Sequence, residues 1–281
     1  MILADNWTDF CVIDCGGGEK LERWGDVILR RPDPQAIWPR GDVDWRADAT
    51  YQRSATGGGE WHFAKRLPDQ WHLRWEDLNL IVRPTGFKHT GLFPEQAANW
   101  AWMRERIIEH PGQVSLLNLF GYTGAASVAC AAAGAKVTHV DASRGMVAWC
   151  RENAVVSGLA DAPIRTLVDD CTTFLQREIR RGNRYQAILL DPPSYGRGEG
   201  KQVWRLEDDI APFLALCRQV LADDACFVVF NCYTTGLQPA VVRNLLSLTM
   251  PAGDIDAQEL CLPVTSRPIT LPCGVTGRWT P

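Results

Sequence analysis

The chain has no apolar stretch long enough to span a bilayer. Its most apolar run, Ala125 to Ala135, covers eleven residues, where a transmembrane helix takes about 20. The start, MILADNWTDF, lacks a basic run ahead of an apolar segment. That predicts no secretory leader and a mature start at the first residue. No two cysteines form a CxxC pair, and the nearest, among ten scattered over 281 residues, are Cys11 and Cys15. This argues against a disulfide framework, against a structural zinc or other metal site, and for a reduced, cytoplasmic compartment. Cys130, Cys226 and Cys232 sit in apolar segments, where a free thiol behaves as a small hydrophobe. There is also no excess of positive charge. A net charge of −4 and a pI near 5.8 exclude indiscriminate nucleic-acid binding, though a local basic patch stays open.

A 46% hydrophobic content is ample for a core, and its texture changes along the chain. Seven of twelve tryptophans (Trp7, Trp24, Trp38, Trp45, Trp61, Trp71, Trp75) precede residue 90. There, FCVIDCGGGEKLERWGDVILRRP and GGGEWHFAKRLPDQWHLRWEDLNLIVRP alternate strands with glycine or proline turns, which predicts a β-rich region over 1–85. The tryptophans either fill a thin core or form a stacking platform for bases. Through residue 90 the balance is 12 Lys/Arg to 14 Asp/Glu, which favours the core.

Beyond residue 86 the pattern becomes strand–helix–strand. EQAANWAWMRERIIEH is an amphipathic helix closed by Pro111–Gly112, and VSLLNLF, KVTHVD, IRTLVDD, YQAILLD and CFVVFNC are strands with helices between. Such alternation implies parallel βαβ units and an α/β, Rossmann-like, doubly wound sheet over 86–281. The tail ELCLPVTSRPITLPCGVTGRW predicts an antiparallel addition at the sheet edge.

In such sheets ligands bind beyond the carboxyl ends of the strands. The residues there are FGYTG (Phe120–Gly124), Asp141, Asp169–Asp170 and Asp191–Pro192–Pro193. Gly121 and Gly124 let a ligand approach the backbone, and Asp141 follows Gly121 by twenty residues, the spacing at which an acid meets ribose hydroxyls. The turn is not G-x-G-x-x-G, so a pyrophosphate cradle is missing and a phosphate-free adenosine cofactor fits better. Asp169 or Asp170 could instead cap the following helix.

Six blocks in one order, KHTGLFPEQ, LNLFGYTGAASVA, HVDAS, VDDCTTFL, LLDPPSYGRG and FNCYTTG, resemble the class I S-adenosylmethionine-dependent methyltransferases. Within that class the resemblance is to bacterial 23S ribosomal RNA methyltransferases that include cytosine-C5 enzymes, and it covers over half the chain. It implies S-adenosylmethionine as cofactor, methylation of 23S ribosomal RNA at cytosine C5 as the activity, and Asp191 and Cys232 as the catalytic residues. Phe120, Gly121, Tyr122, Thr123 and Gly124 would hold the cofactor's methionine part, Asp141 its ribose hydroxyls and Asp170 its adenine amino group, with Ala142, Ser143 and Cys171 also lining the cofactor. Thr90, Pro94 and Gln96 would cover it, and Asp191 would stand beside its methyl group. A flipped base would meet Asp191, Pro192, Pro193, Ser194, Tyr195 and Arg197. Cys232 matches a strand-end cysteine of the C5 enzymes, where a thiolate adds to carbon 6 of the base; otherwise it is a buried strand cysteine.

The chain departs from the resemblance in showing no clear sign of the separate PUA-type RNA-binding domain that such proteins often carry. Its chief basic stretch is REIRRGNR (Arg177–Arg184), with Arg197, Lys201 and Arg205 after it, which is either a phosphate track or a solvated helix end. The expected partner is RNA, with neither membrane nor metal, and the oligomeric state is left open. Methylation of a base amino group, of a small molecule or of a protein remains an alternative, as does cofactor or RNA binding without catalysis.

Overall fold

The protein is described by a computed structural model covering residues 1–54, 58–86, 88–197, 203–234 and 236–281; the side chain of Arg197, and Lys201 altogether, lie outside the described residues. The chain divides into two compact units, Ile2–Ala98 with Leu260–Cys273, and Asn99–Glu259 with Gly274–Pro281. The sequence expectation placed the boundary near residue 85 and left the tail with the second part. The difference has a local cause. Val264 bridges to Val12, the Thr265 and Ser266 amides donate to the Val12 and Ile13 carbonyls, and Arg267 donates to Asp14 Oδ1 at 2.8 Å. Contacts over some 250 residues leave no periodicity to read.

The N-terminal unit is built from β1 (Ile2–Leu3), β2 (Phe10–Gly16), β3 (Glu19–Trp24), β4 (Val27–Pro32), β5 (Ala49–Arg53), β6 (Gly59–Phe63), β7 (Trp71–Trp75) and β8 (Leu78–Val82). Strands β2 to β6 form one sheet in chain order, and β7–β8 form a separate hairpin. Gly17 and Gly18 take φ of 61° and 77° in the β2–β3 turn, a conformation glycine adopts without steric cost. Trp24 and Trp75 are fully buried, and Trp24 meets Phe10 edge-on at 4.9 Å. The indole N–H groups of Trp7, Trp38, Trp61 and Trp71 donate to the backbone carbonyls of Pro94, Cys15, Thr85 and Trp24, and that of Trp45 to Asp14. These five rings are half-buried and tied down within the unit, while Trp24 and Trp75 fill its core. Beneath them Glu22 is fully buried and clamped by both Nε and NH2 of Arg31, at 2.7 and 2.8 Å.

The second unit takes up α1 (Ala97–Glu109) from Asn99, followed by β9 (Ser115–Leu119), α2 (Ala125–Ala132), β10 (Lys136–Asp141), α3 (Arg144–Val156) and β11 (Ile164–Val168). Then come α4 (Cys171–Arg181), β12 (Ala187–Leu190), the short β13 (Tyr195–Arg197) and β14 (Val203–Arg205), α5 (Leu206–Val220), β15 (Phe227–Cys232) and α6 (Pro239–Thr249). The last strands are β16 (Asp254–Pro263) and β17 (Thr270–Thr280). The sheet order is β16-β17-β15-β12-β9-β10-β11, with β9 to β12 and β15 mutually parallel and β17 antiparallel against β15. From β9 the chain winds outward to β11, then returns to the other side of β9 as β12, which makes the β9–β12 gap the switch point. Leu117, Leu119, Ile188, Leu190, Phe213 and Phe230 pack the core on one face of this sheet.

Candidate active site

The register aligns the carboxyl ends of the strands on one edge. Leu190 pairs with Leu119 and Phe230, Leu119 with Val140, and Asp141 with Val168. The residues that follow these positions are the ones the sequence singled out.

The cradle at the end of β9 is strained. Phe120 and Tyr122 hold φ of 56° and 51°, and Gly124 holds 78°. A left-handed residue other than glycine is uncommon and costs of order 1–3 kcal/mol, so something must hold it. Four anchors do. The Phe120 amide donates to Cys171 Sγ at 3.3 Å, Gly121 N–H to the Val140 carbonyl at 3.0 Å, Tyr122 N–H to Asp141 Oδ2 at 2.8 Å, and Gly124 N–H to the Gly121 carbonyl at 3.0 Å. Asn153 Nδ2 donates to the carbonyl of the buried Thr123 at 2.8 Å. A Cβ on Gly121 would overlap the His139 imidazole, and one on Gly124 would overlap Cys150. Both glycines are therefore demanded by packing beneath the loop, and Gly124 by its backbone as well. The α2 N-terminus opens directly after Gly124, with its first amides pointing out of the helix.

His139 was not among the expected site residues. It is buried under the loop, with Nδ1 2.9 Å from Ser127 Oγ, which in turn accepts from Asn118 Nδ2 at 2.8 Å. Burial pushes the imidazole down to about 4, so it is neutral at physiological pH. Its place in KVTHVD gives no local signal, because an inward strand position reads as core.

Asp141 stands half-buried at the end of β10. Tyr122 N–H occupies Oδ2 and Ser143 N–H occupies Oδ1, each at 2.8 Å. Burial raises its pKa and those two amides lower it less, so the net shift is upward. A carboxylate has about four lone-pair sites, which leaves two for ligand hydroxyls. Ser143 caps α3 by accepting from Met146 N–H, while Ala142 is exposed beside it. At the end of β11, Asp170 caps α4, its Oδ1 accepting from Thr173 N–H at 2.8 Å, and Asp169 pairs with Arg177. The capping reading of Asp170 is thus realised; its side chain stays exposed with the second oxygen outside that bond. Cys171 is buried, and burial pushes its thiol well up.

At the end of β12, the Asp191 amide donates to the Leu119 carbonyl at 3.4 Å, which seats Asp191-Pro-Pro next to the cradle, across the switch point. Pro192 is buried; Pro193, Ser194 and Tyr195 face outward, with Tyr195 51% exposed. Two contacts fix this turn. Trp204 Nε1 donates to the Pro193 carbonyl at 2.7 Å, and Thr234 Oγ1 donates to Ser194 Oγ at 2.6 Å. Trp204 also meets Phe120 at 5.2 Å and Phe213 at 5.4 Å, so one indole joins the DPPSY turn to the cradle. Its contribution escaped the sequence reading because β13 and β14, which form a small antiparallel pair with Tyr195 opposite Arg205, carry no strand-like run.

Cys232, the last residue of β15, is 1% exposed and lies in the hydrophobic core. Burial raises its pKa, hydrogen bonds from Thr234 oppose the rise, and the Asp191 charge adds to it. The preceding Asn231 is buried and accepts from Asn99 Nδ2 at 3.0 Å, so it serves the scaffold. Thr90, Pro94 and Gln96 belong to the N-terminal unit: Pro94–Gln96 form a 3-10 turn, and the Thr90 hydroxyl is buried without a hydrogen-bond partner among the described residues. Such an orphan is rare in a folded protein.

A family profile for S-adenosylmethionine-dependent methyltransferases matches residues 50–224, more than half of the chain. The chain belongs to the S-adenosylmethionine-dependent methyltransferases. A crystal structure of such a methyltransferase from Agrobacterium tumefaciens is 37% identical, superimposes with a TM-score of 0.95, and is covered over 93% of its length by 100% of this chain. A methyltransferase solved with S-adenosylhomocysteine is 18% identical with a TM-score of 0.76, covering 98% of this chain and 76% of that one, and shares the fold. Ribosomal RNA large subunit methyltransferase K/L of Shewanella frigidimarina is 30% identical over 52% of this chain but only 20% of its own length. The chain thus matches about a fifth of the length of that curated relative. As a family member the protein is an enzyme with S-adenosylmethionine as cofactor, and the phosphate-free cradle and the paired amides on Asp141 suit that cofactor. No helix among the described residues is long and apolar enough to cross a membrane.

Proposed function

We propose that this methyltransferase modifies a base of large-subunit ribosomal RNA, using the Asp191–Tyr195 turn as the receptor for the base. The observation that carries the reading is the Asp191–Leu119 backbone bond, which sets that turn against the cofactor cradle at the switch point. When bound, S-adenosylmethionine supplies an electrophilic methyl group. The cradle from Phe120 to Gly124 holds the amino-acid end, Asp141 the ribose, and Asp170 with Cys171 the adenine side. Pro192 and Pro193 stiffen the turn, so that the Asp191 carboxylate keeps its orientation without reorganisation. It accepts a hydrogen bond from the reacting edge of the base, while the exposed Tyr195 ring offers a stacking face. The name of the Shewanella relative supports ribosomal RNA as the substrate.

Of the two chemistries open to such a turn, methylation of a nitrogen is favoured. Asp191 would orient a nitrogen for direct attack, the methyl–sulfur bond of the cofactor breaking to leave the thioether, and the carboxylate or water would take the nitrogen's proton. Cytosine-C5 methylation needs a thiolate, and the burial and raised pKa of Cys232 oppose one. The second reading, C5 transfer through Cys232, is supported by its place at the end of the strand beside β12.

The deciding experiment incubates the protein with methyl-tritiated S-adenosylmethionine and unmodified ribosomal RNA, then separates the nucleosides. Label in an N-methylated nucleoside is expected. Label in 5-methylcytidine transfers the chemistry to Cys232. An RNA without label, beside a protein shown to bind cofactor, overturns the RNA substrate in favour of a protein or metabolite.

A further inference from the structure

A second concave site lies at the opposite end of the same strands. Ser115, Lys136, Thr138, Pro163, Arg165, Arg184 and their neighbours line a cleft of about 240 Å³. The register explains how it is built. Ser115 stands opposite Lys136 and Thr138 opposite Arg165, while Ser115, Lys136 and Thr138 share one face of the sheet by their two-residue spacing. Arg184 closes the cleft from the turn after α4.

Its charge is uncompensated. Lys136, Arg165 and Arg184 are exposed, and among the described residues none has a carboxylate within ion-pair distance; Arg184 NH1 donates only to the Asn183 carbonyl. The carboxylate beneath the cleft is already saturated. Glu178, fully buried, accepts from Arg181 NH1 at 2.9 Å and from Asn183 Nδ2 and the Tyr185 hydroxyl at 2.7 Å each. The Asn183 amide and the Tyr185 hydroxyl that line the cleft are therefore spent on Glu178, which has its own cation in Arg181. Three cations from three separate segments therefore face one hollow beside the Ser115 hydroxyl. That set suits a compact polyoxyanion: Arg presents a planar fork, Lys a point charge, and a hydroxyl completes the shell.

We propose that this cleft binds a phosphate group, supplied by the backbone of the RNA substrate. The site stands on the geometry alone, whereas the source of the phosphate rests on the RNA reading above. Lys136 lies five residues before Asp141 on β10, so a phosphate there sits about 17 Å along the strand from Asp141. A contact at that remove fixes the register of a bound strand without reading its sequence.

Lys136 is its own reporter. The full chain would be acetylated with an amine-selective reagent and the modification at Lys136 followed by mass spectrometry. One arm adds inorganic phosphate against chloride of equal ionic strength, and another adds unmodified ribosomal RNA. Protection of Lys136 in both arms, lost in Arg165→Ser/Arg184→Ser but kept in the surface control Arg218→Ser/Arg243→Ser, is the expected result. The cleft variant should also lower the slope of log affinity for RNA against log salt by roughly 0.7 for the one phosphate lost, with cofactor affinity unchanged. Protection by inorganic phosphate but not by RNA keeps the site and overturns its RNA source. Protection in neither arm, or protection that survives the cleft variant, overturns the proposal. The tritium assay on the unmodified protein reports separately on the RNA reading, so the two failures cannot be confused.

Discussion

The Tyr122 amide donates to Asp141 Oδ2 at 2.8 Å, so the residue assigned to the ribose also holds the strained cradle in its left-handed turn. On the proposed reading, one carboxylate couples loop conformation to cofactor binding. Replacing Asp141 by Asn keeps the shape but turns one acceptor into a donor facing a backbone amide. Hydrogen bonds to a charged acceptor contribute about 1.5–3 kcal/mol, so a loss of roughly tenfold or more in cofactor affinity is expected. Calorimetric titration with S-adenosylhomocysteine measures it; an unchanged affinity would remove Asp141 from the site.

The same carboxylate sets a pH dependence. Burial raises its folded pKa, so it takes up a proton at a higher pH than an ordinary aspartate, near 4. Ionised Asp141 therefore costs the fold some stability, a cost that disappears as the pH falls. Cofactor affinity runs the other way, because the acceptor is lost on protonation. Acidification from neutral pH should weaken binding before the protein unfolds, and Asp141→Asn should flatten that dependence.

Gly121→Ala places a methyl group inside the His139 ring, and neither loop nor strand can yield without breaking the anchors around it. The variant is expected to lower the melting temperature and cofactor affinity together. His139→Ala opens the space, so the double variant should recover much of both. A coupling above about 1 kcal/mol in a double-mutant cycle of urea unfolding would support the packing account. Additive effects would refute it.

The strand-end placement of FGYTG, Asp141, Asp170 and the DPPSY turn was legible because each shares a short segment with an apolar strand. Periodicity marks the strand, and the break in periodicity marks its mouth. What remained hidden depends on contacts between distant segments. Trp204 reaches Pro193 and Phe120 from a hairpin without an apolar run, Thr234 meets Ser194 across forty residues, and Leu260–Cys273 joins the N-terminal unit through Val12 and Asp14. Cys232 shows the other limit, since a strand-end cysteine reads alike whether its thiol turns to ligand or to core.

In the N-terminal unit Glu22 and Arg31 form a fully enclosed pair. Burial alone pushes the Glu22 pKa up, but Arg31 and Lys20 outweigh it and the net shift is downward. The stabilisation is therefore present above the unfolded pKa of about 4.3 and is lost as the pH falls through the lowered folded value. Glu22→Gln leaves Arg31 buried without its counter-ion, at a cost of about 3–5 kcal/mol. Thermal scans should show a marked drop at neutral pH that narrows in acid. Replacing both partners, as in Glu22→Leu/Arg31→Met, should recover most of the loss; failure to do so would show that the pair is needed for more than mutual neutralisation.

Cys232→Ala separates the two chemistries. If Asp191 orients a nitrogen for direct attack, the thiol only packs, and its removal costs about 1 kcal/mol of stability and little activity. The kcat of RNA methylation should then stay within about threefold, and its pH profile should show no limb from a titrating thiol. If Cys232 adds to carbon 6, the variant binds cofactor as before but forms no 5-methylcytidine, and Cys232→Ser does no better, because a serine hydroxyl is far less acidic than a thiol. Burial has already raised this thiol, and a thiolate reading would need substrate binding to expose it and lower its pKa. Alkylation of Cys232 in the free protein and in the RNA-bound protein tests that need: a thiol that stays unreactive in both is a packing residue.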